Sequence, residues 1–470
     1  MENWREKRSL LPIELQKILD EPLGMEYNEA VNVAILEVLS MTLSSLQEFR
    51  IVYSAASPSA LIEREAAFLL RQKLLAALGA DLTVQTEEEV PNGLRILLGA
   101  LSGLSPAPTQ YALEQRDDAT LLLCAGSTVA YDALVEAAVQ ALTEGPLPAA
   151  PVIVSCKDPS LGTPHGDLRI LFHNIFGYDR KPTIHPQKRY ALEATLYGEY
   201  AADILCLQEY DGGPRKYLGP RLTEHGFLEV PADQMGFPKN CSPIFYNPHR
   251  VTLLDHGFYP FRYKSPVNEM VCNNHDTKNL TWAAFEEQKT GKRFLVISVH
   301  FYYSPDASSD MTNRVESNKA RMENARELFS YLQNHIYTKN EGEFAGLPLL
   351  WGGDLNCAFS NKNYPSLIAS ANGRTALDVL EEELGMKHAQ KHAEIFADSI
   401  GAYCWYPTYD EELGYYNSCG RLDNKTFDGS IDHSYVYGDG VTPLTFDIID
   451  TTIAKKTSDH APIVVDYRFD

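Results

Sequence analysis

The chain has 470 residues, of which 44% are hydrophobic and 22% charged, and a formal net charge of −22. That length and balance belong to a soluble globular protein of two or three domains with room for a large core. The surplus of acid repels a phosphate polymer at long range, which disfavours wrapping extended nucleic acid, and no apolar run reaches the roughly 18 residues of a transmembrane helix.

The opening residues Met1–Arg8 lead into Leu10-Leu-Pro-Ile-Glu-Leu15, where charge interrupts the apolar run, so no signal peptide is expected. The eight cysteines are scattered without a Cys-x-x-Cys pair, and several fall in apolar strands. Packed, reduced thiols and a cytoplasmic location are therefore expected, rather than a zinc site or a disulfide scaffold.

Residues 1–46 read as a helical segment, with Val31, Ala34, Ile35, Val38, Leu39, Leu43 and Leu46 at helical spacing. Over 47–145 the pattern becomes that of a small α/β domain. Strands are expected at Phe49–Tyr53, 80–85, 94–98 and 120–124, with helices from Ser57-Pro58 through Leu78 and over 128–142. This order resembles the small α/β domain that precedes the barrel of hexosaminidase-type glycosidases, through Ile96-Leu-Leu-Gly99 and Ala125-Gly-Ser-Thr-Val-Ala-Tyr131. No catalytic residue carries over, and the resemblance implies packing or oligomerisation rather than sugar binding. Residues 146–167, rich in Pro and Gly, read as a linker.

From 168 to 470 apolar strands alternate with polar loops. Strands are expected at Leu168–Phe172, Ile204–Leu207, Ser242–Tyr246, Thr281–Phe285, Arg293–Val299, Leu347–Trp351, Ile431–Val436 and Ala461–Val465, with helices at Gln187–Tyr200 and Asn318–His335. Many strands and few helices predict an α/β, four-layer sandwich: two packed, mainly antiparallel sheets flanked by helices.

Polar residues recur where these strands stop. Leu347–Trp351 reads as a buried strand halted by Gly352-Gly353, followed by Asp354 and Asn356. In extended backbone that i, i+2 pair points one way, offering an acceptor and a donor side by side. Similar endings are His173-Asn174, Gln208-Glu209, His300 and Ser458-Asp459-His460. Each alone is an ordinary turn residue. Asp432, inside an apolar strand, must find a partner.

Taken in order, Asn174, Gln208-Glu209, Val299-His300, Gly353-Asp354-x-Asn356, Ile431-Asp432 and Ser458-Asp459-His460 resemble the endonuclease/exonuclease/phosphatase (DNase I-like) superfamily over the whole of 168–470. The resemblance implies a phosphoester hydrolase dependent on Mg²⁺, with Mn²⁺ as the other option. Glu209, helped by Asn174, would hold the metal, with Asp459 in support. His460 would be the general base, oriented by Asp432. Asp354 would align the attacking water, and Asn356 and His300 would donate to the phosphoryl oxygens. One departure stands out. Many relatives carry a Glu before the strand matching Ser242–Tyr246, supporting the first histidine. Lys239-Asn240-Cys241 stands there instead, and Asn240 can hydrogen-bond His300 without holding it as a cation.

Segments 210–241, 258–279, 302–317 and 400–428 would surround the site as loops. Tyr403, Trp405, Tyr406, Tyr409, Tyr415 and Tyr416 could stack on a ring or pack their own loop. Arg215, Lys216, Arg262 and Lys264 are the candidate contacts for a second phosphate. A small-molecule or lipid-like phosphoester is the first substrate expectation, and short or single-stranded nucleic acid the second. A non-catalytic binding protein that retained the fold is the third.

Overall fold

The computed structural model describes residues 46–470 except 58, 90–93, 108, 118–119, 145–149, 156–165, 178–185, 232–239, 268, 275, 304–310, 360–370, 397–407, 411–414, 418–429 and 450. The helix expected before residue 46 and the aromatics Tyr403, Trp405 and Tyr406 lie outside the described residues. The chain divides into two compact units, Met1–Lys157 and Asp158–Asp470. None of the described helices is long and apolar enough to cross a membrane.

Among the described residues the first unit holds one six-stranded sheet and two α-helices. Its elements are β1 (Arg50–Tyr53), α1 (Ala60–Leu78), β2 (Thr83–Thr86), β3 (Arg95–Leu98), β4 (Gln110–Asp117), β5 (Thr120–Ala125), α2 (Thr128–Glu144) and β6 (Val152–Ser155). The sheet order is β2-β1-β3-β5-β4-β6. Two strands went unforeseen. β4 hides because five of its eight residues are Glu, Gln, Arg or Asp. β6 lies within the stretch expected as linker, yet it pairs with β4 from Gln110↔Ser155 to Leu113↔Val152 and belongs to this sheet.

The second unit contains two sheets packed face to face. Its strands are β7 (Leu168–Asn174), β8 (Ile204–Gln208), β9 (Leu228–Glu229), β10 (Ile244–Tyr246), β11 (Val251–Pro260), β12 (Asn279–Glu287), β13 (Arg293–His300), β14 (Leu349–Asp354), β15 (Lys387–His388), β16 (Ile395–Phe396), the small hairpin β17 (Thr408–Asp410) and β18 (Tyr415–Asn417), β19 (Asp432–Tyr437), β20 (Val441–Ile448) and β21 (Ile463–Phe469). One sheet has the order β16-β20-β21-β7-β8-β10-β9 and the other β11-β12-β13-β14-β19-β15. Most neighbours run antiparallel; β7 with β8, β13 with β14 and β16 with β20 are parallel.

Alternation along the strands sorts side chains between layers. Phe294, Val296 and Leu350 point between the sheets, where they meet Ile170, Phe172, Cys206 and Ile244 of the other sheet. Leu295, Ile297, Leu349 and Trp351 point outward and pack with Met322, Ala325 and Leu328. Those three lie on α4 (Met311–Tyr331), which covers that face. The far face of the first sheet is covered by α3 (Pro186–Glu199), whose Tyr197 Oη lies 2.6 Å from His173 Nδ1. Four layers result, as the many strands and few helices of the sequence predict. Burial pushes the Cys206 thiol, in the core between the sheets, well above its usual range.

β11 and β20 were the long strands of this unit that the sequence obscured, and the two- and three-residue strands β9 and β15–β18 also went unforeseen. β11 is an edge strand with Asp255, His256 and Gly257 in its middle, and β20 carries Pro443 at a shift in register with β21.

Candidate active site

Register sets a row of polar strand ends across the second sheet. His300, the last residue of β13, lies opposite Asp354, the last of β14, and Asp354 lies opposite Asp432, the first of β19. In the first sheet Asn174, ending β7, lies opposite Gln208, ending β8, and Glu209 follows in a left-handed conformation with φ 62°. Gly177 lets its loop close on Glu209: a Cβ there would fall 1.7 Å from the Glu209 carbonyl oxygen.

The glycines before Asp354 do not halt β14, as the sequence suggested; the strand runs through them. They are small because neighbours close in from both sides. A Cβ on Gly352 would lie 2.5 Å from the His433 carbonyl oxygen, and one on Gly353, whose φ is 144°, 2.0 Å from that of Val299. The strand ends therefore approach one another more closely than any side chain at 353 would allow.

Asn174 Nδ2 donates to Asp354 Oδ2 at 2.9 Å and reaches Glu209 Oε1 at 3.4 Å. Asp354 Oδ1 accepts the backbone N–H of Asn356 at 2.8 Å, while His300 Nε2 lies 3.1 Å from Oδ2. Burial by itself favours the neutral acid, yet His300, His460 and Lys278 around it outweigh that and hold Asp354 below the usual carboxylate range. His460 Nδ1 pairs with Asp432 Oδ2 at 2.7 Å. Burial raises the Asp432 carboxyl, against the pull of His460. Asp459 Oδ1 lies 3.9 Å from His460 Nε2, and its carboxyl is pushed up to about 7 by burial, His460 opposing the rise and Glu209 adding to it.

Asn356 departs from its expected place. With φ 49° it is not extended, and its Nδ2 donates to the Phe301 carbonyl oxygen at 3.2 Å. It meets Asp354 through its backbone, not through two side chains in parallel. Asp432 likewise opens its strand rather than sitting mid-strand, although it is as buried as expected. Asn240 does not reach His300 in the hydrogen-bond pattern: its Oδ1 accepts from Ser242 N at 3.0 Å and Thr281 Oγ1 at 3.0 Å.

Two contributors escaped the sequence reading, and a third, His173, was read only as a polar strand ending. Lys278, just before β12, contacts His300 Nε2. Arg189 on α3 donates from Nη1 to the carbonyl oxygens of Ile175, Phe176 and Thr457, each at 3.2 Å, tying the segment after Asn174 to the segment before Asp459. His173 Nε2 donates to the His460 carbonyl oxygen at 3.1 Å. Neither Lys278 nor Arg189 announces itself in sequence, since a lone basic residue in a helix or loop is normally solvated.

The donor set suits a hard divalent cation. Asp354, Asp432 and His460 each present a ligand atom, all within 4.8 Å of one another. Asp432 Oδ1 and Asp459 Oδ1 are buried and have no hydrogen-bond partner among the described residues. Carboxylate oxygens left bare in this way fit Mg²⁺ or Mn²⁺, which prefer oxygen ligands.

The chain is similar to endonuclease/exonuclease/phosphatase structures. With the Bacteroides vulgatus endonuclease/exonuclease/phosphatase it shares 17% identity, over 64% of this chain and 99% of that one, at a TM-score of 0.43. With the Bacteroides thetaiotaomicron mannosyl-6-phosphatase the figures are 17%, 64%, 100% and 0.40. With the human Nocturnin catalytic domain, solved with a bound sulfate anion, they are 15%, 66%, 97% and 0.38. No protein-family model matches the sequence, and no curated protein matches it.

Proposed function

We propose that the second unit is a divalent-metal-dependent phosphoester hydrolase of the endonuclease/exonuclease/phosphatase type. The observation that supports this best is the 2.7 Å pairing of His460 Nδ1 with Asp432, set beside Asp354 and the buried, unpartnered oxygens of Asp432 and Asp459. A carboxylate on Nδ1 fixes the imidazole tautomer and stabilises the cation formed when Nε2 takes a proton. His460 is the base that receives a proton from the attacking water. Asp354, kept ionised and held by Asn174 and the Asn356 N–H, is the acceptor that orients that water.

Glu209 with Asn174, supported by Asp459, would hold Mg²⁺ or Mn²⁺, and the ion would supply Lewis-acid stabilisation of charge at a phosphoryl oxygen. His300 faces Asp354 and lends the pocket a hydrogen-bonding imidazole. Asn356 keeps one amide proton for a phosphoryl oxygen while the other holds Phe301.

The net charge of −22 favours a small-molecule or lipid-like phosphoester over an extended polyanion. A short or single-stranded nucleic acid is the second reading, since local contacts can outweigh a distant field. The test is a screen of bis(p-nitrophenyl) phosphate, sugar and inositol phosphates, phospholipid headgroup esters and a labelled oligonucleotide, with Mg²⁺ or Mn²⁺ added. Turnover of a small ester, abolished in His460→Ala, supports the proposal. Preferential cleavage of the oligonucleotide supports the second reading. No turnover by wild type, with partner binding unchanged in Glu209→Gln, would make the unit a binding protein.

A further inference from the structure

Lys278 is an ammonium where a charged group is costly. It is 4% exposed, and its position is fixed from its own backbone: its N–H donates to Asn273 O at 2.9 Å and its carbonyl accepts from Phe261 N at 3.3 Å. Its Nζ contacts His300 Nε2, the atom that also lies 3.1 Å from Asp354 Oδ2. A buried cation persists only where nearby negative charge repays its lost hydration. Here that charge comes first from Glu209 and then from Asp354, both residues of the site. Among the described residues no ion pair links Lys278 to a carboxylate away from the site.

His300 joins this cation to the rest of the site, since one ring nitrogen meets both Lys278 Nζ and Asp354 Oδ2. Asn240 makes no such contact, because its acceptor oxygen is taken by Ser242 N and Thr281 Oγ1.

We infer that Lys278 is the anion-binding residue of this site: its ammonium, steered by His300, supplies the positive charge for the oxygens of the phosphoryl group. Burial pulls the Lys278 pKa down to about 8, which still leaves the ammonium predominant at neutral pH. The inference rests on the phosphoester-hydrolase reading and says how that site grips its phosphate.

The test compares full-length wild type, Lys278→Gln, Lys278→Arg and His300→Gln, measuring kcat, KM and the inhibition constant of inorganic phosphate on bis(p-nitrophenyl) phosphate. Loss of a charge-assisted contact predicts an inhibition constant raised about tenfold or more in Lys278→Gln, recovered largely in Lys278→Arg. His300→Gln, which leaves the ammonium in place, should shift it by less than about threefold. An unchanged constant in Lys278→Gln, or equal damage in the Arg and Gln variants, overturns the inference. Should Lys278→Gln fail to fold, wild type carrying ¹⁵Nζ-labelled lysine decides the matter: phosphate must shift the buried lysine's signal, and an unmoved signal refutes the role. A wild type that turns over no phosphoester but shows that shift overturns the hydrolase reading while leaving the anion site standing.

Discussion

The Asn174 carboxamide lies 2.9 Å from Asp354 Oδ2, so a strand end of one sheet is hydrogen-bonded to a strand end of the other across the mouth of the sandwich. The same amide reaches Glu209 at 3.4 Å, which makes it the joint between the residue proposed to hold the metal and the residue proposed to orient water. Asn174→Ala leaves Asp354 with one fewer donor. The expected cost is about 10–100-fold in kcat/KM, the range seen when a supporting hydrogen bond of a metal site is removed. Asn174→Asp should do worse, because it places a third carboxylate against Asp354 and Glu209. Steady-state kinetics over a metal titration checks both.

Arg189 is the clasp behind the site. Its guanidinium joins Ile175, Phe176 and Thr457 through their carbonyl oxygens and lies over the Tyr190 ring at 4.5 Å. Arg189→Met keeps the bulk and strands those carbonyls. A loss of about 2–4 kcal/mol in urea denaturation is expected from buried acceptors left without a donor. Turnover should also fall, because the segments bearing Asn174 and Asp459 lose their common anchor.

Close approach at Gly353 predicts a sharp contrast with a glycine in open space. Gly353→Ala drives a Cβ to 2.0 Å from a backbone oxygen and should cost several kcal/mol or prevent folding. Gly385 also has a positive φ, 69°, but a Cβ there meets nothing within 4 Å. Gly385→Ala should cost only about 1–2 kcal/mol, the backbone strain alone. Denaturant midpoints of the two variants separate packing from strain.

The buried chain from His173 to Glu193 gives stability a pH signature. His173 Nε2 donates to the His460 carbonyl, so its Nδ1 accepts from Tyr197 Oη, and Glu193 Oε1 lies 3.1 Å beyond. Burial pushes Glu193 up to about 8, with Arg189 opposing. Between pH 4.5 and 8 the folded form holds a proton that the unfolded chain has released, so Glu193 withdraws stability as pH rises through that window. Glu193→Gln cannot titrate. Its stability relative to wild type should therefore climb from pH 5 to pH 8, by at most about 1.4 kcal/mol per pH unit. Burial drops His173 to about 3, and the sign reverses. The unfolded histidine binds its proton first, so stability is lost as pH falls from 6.5 towards 3. His173→Gln should flatten that acid limb. Urea titrations at a series of pH values check both slopes.

The strands were legible where one face was consistently apolar, as at Leu168–Phe172 and Arg293–Val299, because burial on both sides leaves a continuous hydrophobic run. β11 and β20 escaped because an edge strand with Asp255 and His256, and a strand carrying Pro443 at an irregular register, lack that run. In the site, carboxylates and histidines at strand ends were readable one by one, since strand termini place polar groups together. What held them was not. Lys278 and Arg189 act from a loop and a covering helix, and nothing local in their sequence separates them from solvated cations. Asn356 was assigned to extended backbone, and only its left-handed turn shows that the N–H, not the carboxamide, meets Asp354.

Isotope tracing reaches the central proposal most directly: hydrolysis in H₂¹⁸O with Mg²⁺, by wild type and by His460→Ala. Attack of an activated water on phosphorus places one ¹⁸O in the phosphate product and none in the released alcohol, with the rate falling about 10²–10⁴-fold in His460→Ala, the share general-base catalysis commonly supplies. Label in the alcohol, or a His460→Ala rate equal to wild type, would contradict it.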